Sequence, residues 1–349
     1  MIKLNPGIIR GIRSAKSAEE LAVYLQNAIE LEHSTIPPYL TAMLSLRAGT
    51  NAQIERQIQG IVIQEMLHMA IASNILIAIG GYPAINGRDF IPKYPGPLPM
   101  NIGDLVVGIE AFSINLVQDT FMAIEEPEEP IPVEKVEALE GVEYATIGQF
   151  YDAIKEQIQE LGPSIFVKTT APPQVVAPKW FGEKLFVITN PYTACQAIDL
   201  IKLEGEGTSE SPFESPGQPA HYYRFGEIAA GRRLIEKPGG GYAYGGEPIL
   251  FDPSGVWPLR PNCKIADFVP GTQARTRIEA FAYNYSSLLN SLHDTFNGYP
   301  EQLDTAIGVM YDLRTSAVAL METDTGEGTG HTVGPSYEYV EREGGMPTS

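Results

Sequence analysis

The chain has 349 residues, 44% hydrophobic and 19% charged, which is enough apolar material for a sizeable core and suits one large domain with insertions. Its 24 Lys+Arg against 43 Asp+Glu give a formal net charge of -19. A surface that acidic repels phosphate backbones and anionic lipids, so nucleic-acid and membrane-surface binding are not expected. The two cysteines, Cys195 and Cys263, sit in no thiolate-ligand spacing and indicate neither a zinc ribbon nor a disulfide framework.

The N-terminal MIKLNPGIIRGIRSAKSAEEL lacks an uninterrupted apolar h-region, and no stretch is read as a bilayer span, so a cytoplasmic protein is expected. Ser17 followed by Glu20 reads as a capping box opening a helix over about 18–47, which Pro37-Pro38 should bend or break. A second helix is expected from about 51 to 80, stopped by Gly80-Gly81. The Pro/Gly-rich stretch 82–103 reads as a loop, and 111–125 as a third helix ended by Pro127. A charged segment, 126–140, is expected to be a solvated loop, followed by an amphipathic helix over 146–160. LFVITN suggests a short strand and 191–204 another helix. The insertion 205–275 is dense in Gly, Pro and aromatics, with hairpin-like segments around 242–260 and one helical stretch at 220–235. Two amphipathic helices, about 275–297 and 301–322, precede a Gly-rich tail.

The chemistry concentrates in the second helix. Its apolar stripe at helical spacing runs Ile54, Ile58, Ile61, Glu65, His68, Ala72, Ile75, Ile79. A carboxylate and an imidazole therefore interrupt an isoleucine face at its centre, and burying such a carboxylate without compensation is costly. A divalent metal compensates it, and Glu-x-x-His is the spacing that carboxylate-bridged two-metal bundles use. The first helix repeats the pattern: Leu21, Leu25, Ala28, Glu32, Ile36, Tyr39, Met43 again centres on one carboxylate. Glu30 is the alternative there, and His33 is either a second ligand or a hydrogen-bonded partner.

Further ligands must come from facing helices. Glu125 continues the stripe Ile114, Val117, Phe121, and Glu204 continues Ala194, Ala197, Ile201, with Glu206 as its substitute. His221 opens an aromatic segment that the glycines of Gly205 and Gly207 allow to turn towards Glu204. Tyr39 and Tyr222 either line a pocket or pack the core. His293 and His331 read as surface groups, and Arg224, Arg232 and Arg233 as anchors for an anion or for acidic loops.

The blocks ELEHSTIPPYLTAMLSL and IVIQEMLHMAIASNILIAIGG resemble the ferritin-like family of iminophenylpyruvate dimer synthases, which couple amino-acid-derived imines oxidatively in bisindole pigment pathways. The likeness continues through FMAIEEP, IKLEGEGT, HYYRF, FNGYPEQLDTAIGVMYDL and GPSYEYV. It implies a mainly α, ferritin-like four-helix bundle with extra helices and a hairpin-containing insertion. Carried over, it implies metal ligation by Glu32, Glu65 and His68, with Glu125, Glu204 and His221 as partners. The second half shows no Glu-x-x-His on one helix, so the site is expected to hold one or two ions, iron first and manganese or zinc as alternatives. The function implied is a non-haem metal oxidoreductase acting on a small molecule, possible as a homo-oligomer; the alternatives are an iron-sequestering protein and a helical scaffold.

Overall fold

A computed structural model describes residues 3–101, 103–133, 145–169 and 172–341. The latter part of the 126–140 segment and the end of the Gly-rich tail thus lie outside the described residues. The elements are mainly helical: α1 Pro6–Ser14, α2 Ala18–Leu44, α3 Ala52–Ala78, α4 (Ile114–Leu116, Val117–Phe121 and Met122–Glu125, run together), α5 Ile147–Leu161, α6 Pro191–Glu206, α7 His221–Ala230, α8 Gln273–Phe296 and α9 Leu303–Met321. Among the described residues, strands form two small antiparallel pairs, β1 Phe213–Ser215 with β2 Gln218–Pro219 and β3 Arg232–Glu236 with β4 Tyr242–Pro248.

Local chemistry explains most boundaries. Ser17 Oγ accepts the Glu20 N–H at 3.3 Å, and the Glu20 carboxylate reaches back to the Lys16 N–H at 2.7 Å. Ser113 caps α4, while reciprocal boxes of Thr146 with Gln149 and Asn190 with Thr193 start α5 and α6. The middle of α4, Val117–Phe121, is wound as a π-helix, a device that often re-aims side chains near functional sites.

Four expectations need correction. Helix α2 continues through Pro37 and Pro38, both buried. Proline at 38 cannot donate to the Ser34 carbonyl, but the Tyr94 hydroxyl donates to that oxygen at 2.6 Å and satisfies it. The stretch LFVITN forms no strand: the Gln174 side chain takes the place of a neighbouring strand, donating to Ile188 O and accepting from Ile188 N, both at 2.7 Å. The helix expected to reach 235 stops at Ala230, where Gly231 adopts a left-handed φ of 66° and turns the chain into β3.

Helices α2 and α3 pack along their length, α5 and α6 pack on each other, and α6 and α7 close over α3. Helices α8 and α9 form a second hairpin that α9 joins to α2. By length and composition α3 is apolar enough to cross a bilayer, correcting the expectation that no segment is; its most apolar window is 89% buried within the protein, as in a core helix.

Candidate metal centre

Glu32 of α2, Glu65 and His68 of α3, Glu125 at the end of α4 and His221 at the start of α7 converge in the bundle interior, each 9% exposed or less. They form two overlapping groups with ligand atoms in reach of one another: Glu32, Glu65 and His68, then Glu65, Glu125 and His221. Glu65 belongs to both. The stripe positions of α2 and α3 and the end position of α4 thus meet, and α7 supplies the imidazole that no second Glu-x-x-His provides.

The three carboxylates are held alike. Each accepts a hydroxyl proton on one oxygen and turns the other towards a histidine Nδ1. Tyr151 donates to Glu32 Oε1, Thr35 to Glu65 Oε2 at 2.8 Å and Tyr39 to Glu125 Oε1 at 2.6 Å. On the inner side, Glu32 Oε2 lies 3.5 Å from His68 Nδ1, Glu65 Oε1 lies 2.8 Å from His221 Nδ1, and Glu125 Oε2 lies 3.6 Å from the same nitrogen. The two imidazoles stack with centroids 5.5 Å apart.

Both histidines have their outer nitrogen held from behind. His68 Nε2 is 2.9 Å from Glu204 Oε2, whose other oxygen takes a hydrogen bond from Lys184. His221 Nε2 is 3.3 Å from Gln64 Oε1; the Gln64 amide donates to Glu214 at 2.7 Å, and Arg224 donates to the same carboxylate at 3.1 Å. With Nε2 as donor in each ring, Nδ1 is left as a lone pair facing the carboxylates, the tautomer a metal requires.

The electrostatics are those of a crowded acidic cluster. Burial, with Glu125 beside it, pushes the Glu65 carboxyl up to about 7. Burial opposes protonation of His221, but Glu125 and Glu65 outweigh it and push the imidazole up to about 8. His68 is also raised well above its ordinary value, its burial outweighed by Glu204 and Glu32. Glu204 is brought down to about 2: burial acts against its charge, and His68 and Lys184 prevail.

The residues fit a metal. His221 Nδ1 is buried 2.8 Å from a carboxylate oxygen yet makes no well-aligned hydrogen bond. Two atoms bound at right angles to one ion, each at about 2.1 Å, stand about 3 Å apart, so this spacing suits ligands sharing an ion. Imidazole and carboxylate donors suit iron, manganese or zinc. A cavity of ≈ 40 Å³ adjoins the cluster, bordered also by Ile124, Ile147, Ile201 and Glu206.

The remaining candidates fall elsewhere. Glu204 stands behind His68, outside both ligand groups. Glu206 borders the cavity, and burial pushes its carboxyl up to about 7. A Cβ at position 148 would come within 2.4 Å of Glu206 Oε2, so the glycine there lets the carboxylate lie close against α5. Glu30 is half-buried and bonded by Gln26, and His33 faces away from the cluster to bond Tyr285 at 2.6 Å. Tyr39 serves the site through Glu125, whereas Tyr222 packs against Tyr223. Arg224 and Arg233 pair with Glu214 and Glu227, Arg232 bonds Gly246 O, His293 is half-buried and His331 exposed. Thr35, Gln64, Tyr151, Lys184 and Glu214 were not anticipated. Only Thr35 and Gln64, neighbours of the stripes, left any trace in the spacing.

A helical bundle enclosing such a cluster is the architecture of the ferritin-like proteins, and a family model described as Ferritin-like matches residues 25–230, from α2 through α7. The chain belongs to that family. It is 23% identical over 342 residues to dichlorochromopyrrolate synthase of Lentzea aerocolonigenes, an alignment covering 85% of this chain and 31% of that enzyme. The chain therefore matches less than a third of the length of that curated relative. A crystal structure of a ferritin-like protein from Caulobacter vibrioides shares the fold, with a TM-score of 0.58, 22% identity, and coverage of 90% of this chain and 97% of that one.

Proposed function

We propose that this protein is a non-haem, two-metal oxidoreductase that acts on a small molecule of secondary metabolism, with oxidative coupling of aromatic amino-acid-derived imines as its reaction type. The observation that carries the reading is the pair of buried ligand groups sharing Glu65. In it, Glu32, Glu65 and His68 hold one ion, and Glu65, Glu125 and His221 the other. Glu204 acts through His68 and is withdrawn from the expected ligand set. The likeness to a pigment-pathway synthase supports the reaction class and leaves the substrate a proposal.

Bound iron or manganese would supply one-electron redox chemistry and the activation of oxygen or peroxide. The chain's own residues do the rest. Tyr151, Thr35 and Tyr39 fix the carboxylates so that their free oxygens converge. Glu204 and Gln64 hold the imidazoles in the ligating tautomer. Glu206, its carboxyl near 7, can keep or release a proton at the cavity wall at neutral pH. The ≈ 40 Å³ space admits water-sized molecules and no aromatic ring, so an imine substrate would meet the site at its mouth.

Elemental analysis after anaerobic Fe(II) loading tests this reading. Two equivalents of iron per chain are expected, lost in Glu65→Ala while the circular dichroism stays helical. Stoichiometric metal retained in Glu65→Ala would overturn the ligand assignment.

A further inference from the structure

On the opposite side of α2 and α3 from the cluster lies a much larger space. This cavity measures ≈ 260 Å³ and lies between α2, α3 and the α8–α9 hairpin, partly open to solvent. Its walls are almost wholly apolar, with Leu40, Met66, Met69, Leu289, Phe296 and Met310 prominent among them. Interiors are normally packed to near-crystal density, and the lining of a void forfeits its dispersion contacts. An apolar cavity of about 150 Å³ already suffices to stay dry and take up an aromatic ring. Methionine thioethers adapt to irregular shapes and favour aromatic neighbours. Exposed Ile63 and Tyr311, 43% and 65% accessible, belong to the same lining and mark its mouth.

One polar group in this wall lacks a partner. His33 is 3% exposed and borders the cavity, and its Nδ1 makes no hydrogen bond. Its Nε2 lies 2.6 Å from the Tyr285 hydroxyl. If the ring donated to that oxygen, the phenol proton and Nδ1 would both be left unmet. If the phenol donates to Nε2, a single orphan remains, the Nδ1–H. The second arrangement leaves fewer unmet groups, so the ring presents a buried donor. Burial holds this imidazole down to about 3, so it is neutral and suits an uncharged acceptor. Unpartnered buried donors in native proteins call for a specific account, and a ligand oxygen provides one here.

We infer that the cavity between α2–α3 and α8–α9 is a second binding site, for an uncharged, largely apolar small molecule carrying one acceptor oxygen that receives the His33 Nδ1–H. It is walled from the metal cluster by α2 and α3 themselves, since Glu32 and His33, and likewise Glu65 and Met66, point to opposite sides. It does not rest on the proposed metal chemistry.

Benzophenone and diphenylmethane form a matched pair of probes, equal in shape and differing in the carbonyl oxygen. Equilibrium dialysis against the full chain should show benzophenone binding one to one. In His33→Phe the ratio of benzophenone to diphenylmethane affinity should fall about tenfold, the value of one net hydrogen bond. Leu292→Trp, a change at the half-buried wall, should weaken both probes. Irradiation of bound benzophenone should label residues of α2, α3, α8 or α9 that line the cavity, and this readout does not depend on any variant folding. Absence of binding, labels on Tyr151 or Glu206, or an unchanged affinity ratio in folded His33→Phe would each overturn the inference. Binding should survive in metal-free Glu65→Ala; its loss there would show that the cavity is part of the metal site, not a separate one.

Discussion

Glu32 and His33 are adjacent in the chain and serve different sites, because each step along an α-helix turns the side chain by about 100°. The same rotation separates Glu65 from Met66 on α3. Reading the apolar stripes therefore picked Glu32 over Glu30, and Glu65 with His68, since a carboxylate on an otherwise apolar face must end in the interior. It also picked Glu204, which is buried on the stripe of α6 but meets His68 Nε2 rather than the cluster. Periodicity reports which face is buried; it does not report how far along a line of groups a side chain stands. Glu204→Gln keeps the shape of the group and removes its charge, so metal affinity should fall by about 10- to 100-fold with the fold intact, as for other outer partners of ligating histidines. A competition assay against a metallochromic chelator measures this. Unchanged affinity would mean that Glu204 has no hold on His68.

At the scale of elements, the unbroken α2 at its two prolines and the missing strand at 185–190 share a cause. Both depend on partners distant in sequence. Pro38 leaves the Ser34 carbonyl without a helical donor, and Tyr94, sixty residues on, supplies one. Tyr94→Phe should leave that buried carbonyl unpaired and lower stability by about 1–3 kcal/mol, read as a shift of the urea midpoint with the m-value unchanged. No shift would mean that the α2 backbone meets the two prolines without help. The stretch 185–190 is extended and β-prone by composition, yet the group that meets Ile188 is a glutamine side chain, so no ladder forms. Capping boxes and glycine stops are local, and they were readable: α2 begins at Ala18 behind Ser17, and α3 ends just before Gly80.

For the molecule as a whole, the acidic surplus lies on the surface, but three carboxylates and two imidazoles share a few ångströms at its centre. In the metal-free protein the neighbouring carboxylates push His221 up to about 8 and hold His68 well above its ordinary value of 6.5. A histidine raised in the folded state stabilises the fold fully below about 6.5, and that contribution is lost as pH rises through its folded value. Glu65, raised to about 7, acts in the same direction, because the unfolded chain ionises it more readily from about 4.5 upward. Glu204 works oppositely, but its contribution is lost only as pH falls from about 4.5 towards about 2. The melting temperature of the metal-free protein should therefore drop from about pH 4.5 to about pH 8, while metal binding, which displaces these protons, should stabilise it increasingly over the same range. Thermal melts of loaded and metal-free samples at matched ionic strength decide this. A metal-induced shift independent of pH would show that the ligands are not protonated before metal arrives.

A helical bundle with buried acids and imidazoles is legible along the chain, because amphipathic periodicity, caps and glycine stops are properties of a few consecutive residues. The same periodicity turns Glu32, Glu65 and His68 inward. The packing of remote helices places His221 beside Glu65 and Glu125, sets Glu204 and Gln64 behind the histidines, and brings Tyr151 and Tyr39 against the carboxylates. That packing alone forms the second cavity. Those facts depend on the distances between helices that are remote in the chain, and no pattern along one helix encodes where its neighbours come to rest.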